Sequence, residues 1–258
     1  MLPCSGGLNR GGWLVAGVPE LSLDPRLQPA AYRPIFARYG RLHVPGFLRR
    51  EHAQALESRI VKLRSWHRSV HMAAGENADI PVADWEALQP GELAEVEHSI
   101  HDRARQGFQY VFDTVRLRRG ELDPGKEPVL AAAAKLVNSA GFLKFVRTLT
   151  GDDRAVSADA MLTRYLPGHF LTAHDDEAEG KTRLYAYVLN LTSQWRADWG
   201  GLLLFLGDED HVEEGYVPAF NALNIFRVPQ RHAVSFVTPF AEAPRLSVTG
   251  WIRSRPAA

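Results

Sequence analysis

Apolar positions along the chain change period once, near Gly151. Before it, helical spacing dominates. Ala53, Leu56, Ile60 and Leu63 recur at i, i+3, i+7 and i+10, which predicts an amphipathic helix starting near Glu51. A second stripe follows at Leu93, Val96 and Ile100, with Gly107 past its end. Pro128 is a residue tolerated in a first helical turn, and it precedes a third helix over Val129–Val137. Ser139 can cap a fourth, whose stripe is Phe142, Phe145, Val146 and Leu149 and which Gly151 ends. Such stripes are core faces. Arg41–Phe47 reads as a short strand closed by Pro45-Gly46, and Phe108, Tyr110 and Phe112 alternate as a half-buried strand. Residues 76–92 and 115–127 read as loops, and residues 1–30 as an arm without period.

After Gly151 come short apolar runs separated by turn signals: Leu184–Leu191, Gly201–Leu206, Leu223–Val228, Ala233–Val237 and Leu246–Ile252. That spacing predicts an antiparallel sandwich or barrel. No Pro/Gly/Ser linker separates the two halves. The expectation is therefore one domain over 31–258, with helical support over 50–151 and a β core over 152–255.

Composition narrows the class. Of 258 residues, 45% are hydrophobic and 23% charged, as in a soluble globular protein with a full core. Lys+Arg and Asp+Glu are both 30, which argues against a nucleic-acid or membrane-surface binder held by bulk charge. Cys4 is the single cysteine, so neither an intrachain disulfide nor a thiolate metal site can be built, and a cytoplasmic protein is expected. Trp13–Val18 is too short for a usual signal segment, and no apolar stretch approaches the ~20 residues of a transmembrane helix.

Candidate chemistry lies in the second half. His174 and Asp176 are two apart; on a strand they share a face, while Asp175 points away. His232 opens a later strand. Two imidazoles and a carboxylate suit Fe(II), Mn(II) or Zn(II) and leave three positions open on an octahedral ion, as in non-haem Fe(II) oxygenases. The short His-x-Asp pattern is weak alone, and ten histidines supply rivals. His169 is one. His67 and His71 stand at i, i+4, a spacing that could bind zinc on a helix, but lack a third ligand and read as a surface feature. His211 sits in the charge run Asp208–Glu214, read as a solvated loop. Arg245 and Ser247, also i and i+2, add weight. A dicarboxylate that chelates a metal at one end needs a cation at the other, and arginine offers a planar, permanent fork.

Together with Leu149-Thr150-Gly151, Tyr165, Gly168, Arg183, Trp195, Trp199-Gly200-Gly201, Phe220-Asn221 and Gly250-Trp251, these residues resemble the Fe(II)/2-oxoglutarate-dependent dioxygenases, in particular the prolyl-hydroxylase group. The likeness extends to the ribosomal-protein prolyl 3,4-dihydroxylase family, catalytic domain only, over about Phe108–Trp251. The resemblance implies a β-rich α+β fold, a double-stranded β-helix (jelly roll) buttressed by N-terminal helices. It implies Fe(II) on His174, Asp176 and His232, 2-oxoglutarate as co-substrate with its far carboxylate on Arg245, and O2. Ser247 could add a hydroxyl there. Tyr165 either contacts 2-oxoglutarate or packs as a strand aromatic; neither Tyr185 nor Tyr187 is singled out. The implied reaction hydroxylates a prolyl residue of a protein, ribosomal in the nearest family, and releases succinate and CO2. A dioxygenase of a free amino acid or other small molecule is the alternative, as is a non-catalytic metal-binding β-sandwich. Asp176 argues against halogenation, because related halogenases lose that carboxylate.

Overall fold

The structure, a computed structural model, describes residues 20–72, 76–117, 126–177 and 182–254. In chain order the elements are α1 (Pro29–Tyr39), β1 (Arg41–Pro45), α2 (Arg50–Val61), β2 (His67–His71), β3 (Asn77–Pro81), α3 (Val82–Glu86), α4 (Pro90–Gln106), β4 (Tyr110–Arg116), α5 (Pro128–Leu136), α6 (Ala140–Thr150), β5 (Ser157–Ala158), β6 (Met161–Tyr165), β7 (Phe170–His174), β8 (Arg183–Asn190), β9 (Leu203–Leu206), β10 (Val212–Tyr216), β11 (Ala222–Arg227), β12 (His232–Val234) and β13 (Arg245–Arg253).

Strand β13 separates the two faces of the molecule. Its Leu246, Val248 and Ile252 enter the main apolar core, while Arg245, Ser247, Thr249 and Trp251 line a cavity on the other side. That is the period-2 alternation of a pleated strand. Its neighbour β8 repeats the pattern, with Tyr185, Tyr187 and Leu189 in the core and Ala186 and Val188 on the cavity. Core side chains of the helices include Phe36 of α1, Leu56 and Ile60 of α2, Leu130 of α5, and Phe142, Phe145 and Leu149 of α6. The caps of α6 are those its sequence suggests. Ser139 Oγ accepts from Phe142 N–H at 3.1 Å, and Gly151 adopts φ 72°.

The strands run β1-β11-β8-β13-β6-β4-β7-β12-β9-β10 in one antiparallel sheet that curls into a nearly closed jelly roll; β2 adds to β4, β3 to β2, and β5 to β13. Its two ends meet through side chains. Arg41 of β1 donates to Glu213 (3.1 Å) and Glu214 (2.6 Å) of β10, with its guanidinium 4.9 Å from the Phe205 ring centre. The run Asp208–Glu214, expected to be a solvated loop, therefore supplies an edge strand that closes the barrel.

Other expectations are corrected. Residues 50–151 hold strands β2–β4 as well as helices, and residues 76–92 contain β3, α3 and the start of α4. Asn77–Pro81 has little apolar signal; it is a strand because β2 pairs with it throughout and Ser69 Oγ bonds Asp79 at 2.7 Å. His67 and His71 lie on β2, not on a helix, so their Cα atoms are roughly 13 Å apart at ~3.3 Å per residue, too far to share an ion. The 115–127 stretch opens with the end of β4; residues 118–125 lie outside the described residues, as do 1–19 of the expected arm. By length and composition Pro128–Thr150 could cross a membrane, but it divides into α5 and α6, whose apolar faces are in the core.

A buried ion-pair node ties the added strands to the barrel. Asp113 of β4 is fully buried and accepts from Arg68 of β2 and Arg164 of β6, both at 2.6 Å. Arg68 lies over Trp85 and Arg164 over Trp66. Removing the shared anion leaves two neighbouring cations without their partner. Asp113→Ala is expected to cost about 3 kcal/mol, the low end for a broken buried pair because both arginines retain some water contact. Denaturant unfolding would show a lower midpoint at unchanged slope.

Candidate metal centre

Strand register brings two histidines together. His174 ends β7, His232 opens β12, and the two are direct partners in the antiparallel ladder. Their ring centres are 4.1 Å apart. His174 Nδ1 donates to the Thr172 carbonyl at 3.0 Å and His232 Nδ1 to the Gln230 carbonyl at 2.8 Å. Each bond leaves an Nε2 lone pair free, the tautomer a metal ligand needs. Both Nε2 atoms face Asp176, at 3.4 Å from Oδ1 and 3.5 Å from Oδ2. The three side chains form a group whose donor atoms lie within 4.8 Å of one another. Burial first, then the neighbouring His174, lowers His232 to about 4, which keeps it neutral.

These residues open into a cavity of about 540 Å³. Deeper in it lies Arg245, 2% exposed, whose Nε has no hydrogen-bond partner. Among the described residues no carboxylate forms an ion pair with it. Burial lowers its pKa from the ordinary value. Its guanidinium sits 4.9 Å from the ring centre of Tyr165, which in turn stacks on Phe112 at 5.1 Å. Ser247 Oγ is 2.6 Å from Thr163 Oγ1 on the same wall.

Comparison with known proteins agrees with this geometry. Residues 160–253 match the model of the 2OG-Fe(II) oxygenase superfamily. Those residues are a 2OG-Fe(II) oxygenase domain. The chain is 32% identical over 138 residues to prolyl 3-hydroxylase OGFOD1 of Mus musculus, covering 51% of this chain but only 25% of that protein. Its fold is similar to a Pseudomonas putida prolyl-4-hydroxylase (TM-score 0.53, 21% identity, 89% of this chain and 100% of that one). It is also similar to a Trichoplax adhaerens prolyl hydroxylase in complex with a hypoxia inducible factor peptide fragment (TM-score 0.57, 13% identity, 87% and 89%).

Within the oxygenase domain, Asp176 reaches the group by a different route from the expected strand alternation. β7 stops at His174, and Asp176 follows in the left-handed region at φ 63°. Asp175 is exposed and accepts from Glu177 N–H at 2.9 Å. Tyr185 and Tyr187 face the helices, where their hydroxyls donate to Asp152 (3.0 Å) and to the Asp159 carbonyl (2.7 Å). Arg183 and Trp251, part of the resemblance but given no role from sequence, stack on one another beside Asp176. Beyond the resemblance, the local signal for a role was a cation opening the apolar run at Leu184 and a tryptophan in phase with Arg245.

His211 is exposed, and His169 is buried away from the triad, where its Nδ1 accepts from Leu166 N–H at 3.2 Å. Burial drops His169 to about 4. The unfolded chain, with an ordinary histidine, then binds the extra proton first. Stability is lost as pH falls from ~6.5 toward 4, by about 2 kcal/mol at pH 5. His169→Gln should remove that part of the acid sensitivity, so the gap in unfolding free energy between pH 8 and pH 5 should narrow by that amount.

Proposed function

We propose that this chain is an Fe(II)- and 2-oxoglutarate-dependent hydroxylase acting on a prolyl residue of a protein. The observation that carries the reading is Arg245: a permanent cation, buried, without an ion-pair partner among the described residues, facing a cavity that also holds two imidazoles and a carboxylate. A structural metal site tends to fill its coordination with protein ligands and needs no such cation. An all nitrogen-and-oxygen donor set with both Nδ1 atoms tied to carbonyls suits Fe(II).

In this reading His174, Asp176 and His232 hold the iron on one face. Arg245 holds the far carboxylate of 2-oxoglutarate, with Tyr165 beneath its guanidinium and Ser247 on the adjoining wall. Bound iron, 2-oxoglutarate and O2 together supply the oxidising power that turns a C–H bond into C–OH, with release of succinate and CO2. The chain's own contribution is placement and exclusion of water. Phe112, Val234 and Leu203 give the cavity an apolar lining in which the Arg245–carboxylate pair is poorly screened. At the cavity edge Phe108, 42% exposed, lies 5.4 Å from the His174 ring, an apolar surface against which a pyrrolidine could rest. The similarity to prolyl hydroxylases, one of them bound to a peptide, favours a protein substrate. The chain spans about a quarter of the length of its mouse relative, and the ribosomal assignment belongs to the same proposal. Mass spectrometry of prolyl peptides, including those of ribosomal proteins, should show a gain of oxygen that requires 2-oxoglutarate; a gain on free amino acids alone would favour the small-molecule reading.

Two sets of variants test the residue roles. Asp176→Ala should abolish turnover in a folded protein, whereas Asp175→Ala, an exposed side chain at the cavity rim, should retain most of it; the reverse outcome would reassign the ligand. Arg245→Ala strands a buried carboxylate and should weaken 2-oxoglutarate binding by roughly 2–5 kcal/mol, on the order of 30- to 5,000-fold. Arg245→Lys should fall between, because it keeps the charge but not the fork. Anaerobic titration of the Fe(II) protein measures this, and iron affinity should stay nearly unchanged.

A further inference from the structure

Asp176 stands on a turn, not on the ladder that fixes the two histidines. A left-handed backbone is uncommon for a residue other than glycine and persists only where the surroundings enforce it. Arg183, close in sequence, and Trp251, from a distant strand, converge on it. Arg183, at the start of β8, donates from Nη1 to the Asp176 carbonyl at 3.1 Å. The same guanidinium lies 3.8 Å from the ring centre of Trp251, near the end of β13, a close cation–π stack. The indole and Asp176 line the same cavity, and the buried indole N–H has no hydrogen-bond partner. Arg183 Nε is likewise buried and unpartnered. A tryptophan N–H normally finds an acceptor when buried, so this donor is poised for one.

Resting on the metal-centre reading above, we propose that Arg183 and Trp251 form a brace that positions Asp176 as a one-point ligand. Arg183 fixes the backbone of the turn through the carbonyl. Trp251 offers its N–H to the carboxylate oxygen that the ion does not take. With one oxygen held by the indole, the carboxylate would offer the other to a metal ion. Neither residue touches the reacting atoms; both act through Asp176. Packing alone would not require an N–H at Trp251.

The test uses the full chain and Co(II), whose visible d–d bands report both occupancy and coordination number, under anaerobic conditions. Trp251→Phe keeps an aromatic face for Arg183 and removes only the donor. Arg183→Met keeps most of the side-chain length and removes the bond to the Asp176 carbonyl. Each is expected to weaken Co(II) binding 10- to 100-fold, the usual effect of losing a partner of a metal ligand, and to change the band shape, with far-UV circular dichroism unchanged. Affinity for 2-oxoglutarate at saturating metal should stay within a few-fold of wild type, which separates the brace from Arg245. Arg183→Lys should recover part of the lost affinity. Arg183→Met gives an independent reading should Trp251→Phe fail to fold. If the wild type binds Co(II) and both variants match it in affinity and spectrum, the brace is overturned while the metal centre stands. A wild-type chain that takes up no Co(II) overturns both.

Discussion

A cation held in a dry cavity is costly, and the cost organises this molecule. Burying a guanidinium without an anion opposes folding by several kcal/mol unless something else over-determines its position. Arg245 is anchored from both sides in the sheet, paired to Tyr165 of β6 in register and followed by the β8 ladder from Ser247 onward. The ring of Tyr165 offers a partial negative face to the charge. Room for its stem comes from Gly201, where an added Cβ would lie 3.1 Å from Arg245 Cδ at a backbone φ of 62°. The preceding Gly200 is equally constrained, since a Cβ there would meet the Phe236 carbonyl oxygen at 1.9 Å. The two glycines shape the turn so that the arginine can sit where, among the described residues, no carboxylate pairs with it.

Keeping such a cavity open requires that the strain be met elsewhere. The outer faces of β8, β11 and β13 provide that, because Tyr187, Leu189, Leu223, Ile225, Leu246 and Val248 are all nearly inaccessible in the core they share with the helices. Each strand thus works twice, apolar outward and functional inward. Closure adds to this. The Arg41 pairs with Glu213 and Glu214 join the first and last strands of the order, and Asp113 binds β2 and β6 to β4.

What the sequence made legible follows from the same division. Helices α2, α4, α5 and α6 and strands β8, β9, β11 and β13 carry strong periodicity because one face of each is fully apolar. β3 and β10 do not: Asn77–Pro81 and Val212–Tyr216 are short, exposed edge strands held by pairing and side-chain bonds that no local pattern encodes. His174 and His232 could be named from residue type, but their apposition depends on a ladder between strands about sixty residues apart. Asp176 was chosen over Asp175 by assuming a strand that in fact ends two residues earlier. The brace of Arg183 and Trp251 was beyond reach, since nothing local says that a strand-opening arginine lies on a tryptophan from β13.

The two kinds of support around the centre differ in stiffness. His174 and His232 sit opposite one another in a paired ladder, so a slip of one residue would turn both rings to the other face; their placement is as secure as the sheet itself. Phe226 adds a wall, its ring 4.6 Å from that of His232. The carboxylate has no ladder behind it. It comes from a turn that must bend away at once, because continuing β7 would carry Asp176 along the strand rather than back toward the imidazoles. A left-handed residue makes that reversal in one step, at a local conformational cost. On the metal-centre reading proposed above, rigid placement of two ligands and adjustable placement of the third would be a sensible division where the ion must admit two further molecules. The histidines would then define where the metal lies, and the turn how the carboxylate meets it. The side chains gathered around Asp176 are therefore where the centre is most open to tuning, and they come from β8 and β13, the same strands that line the cavity.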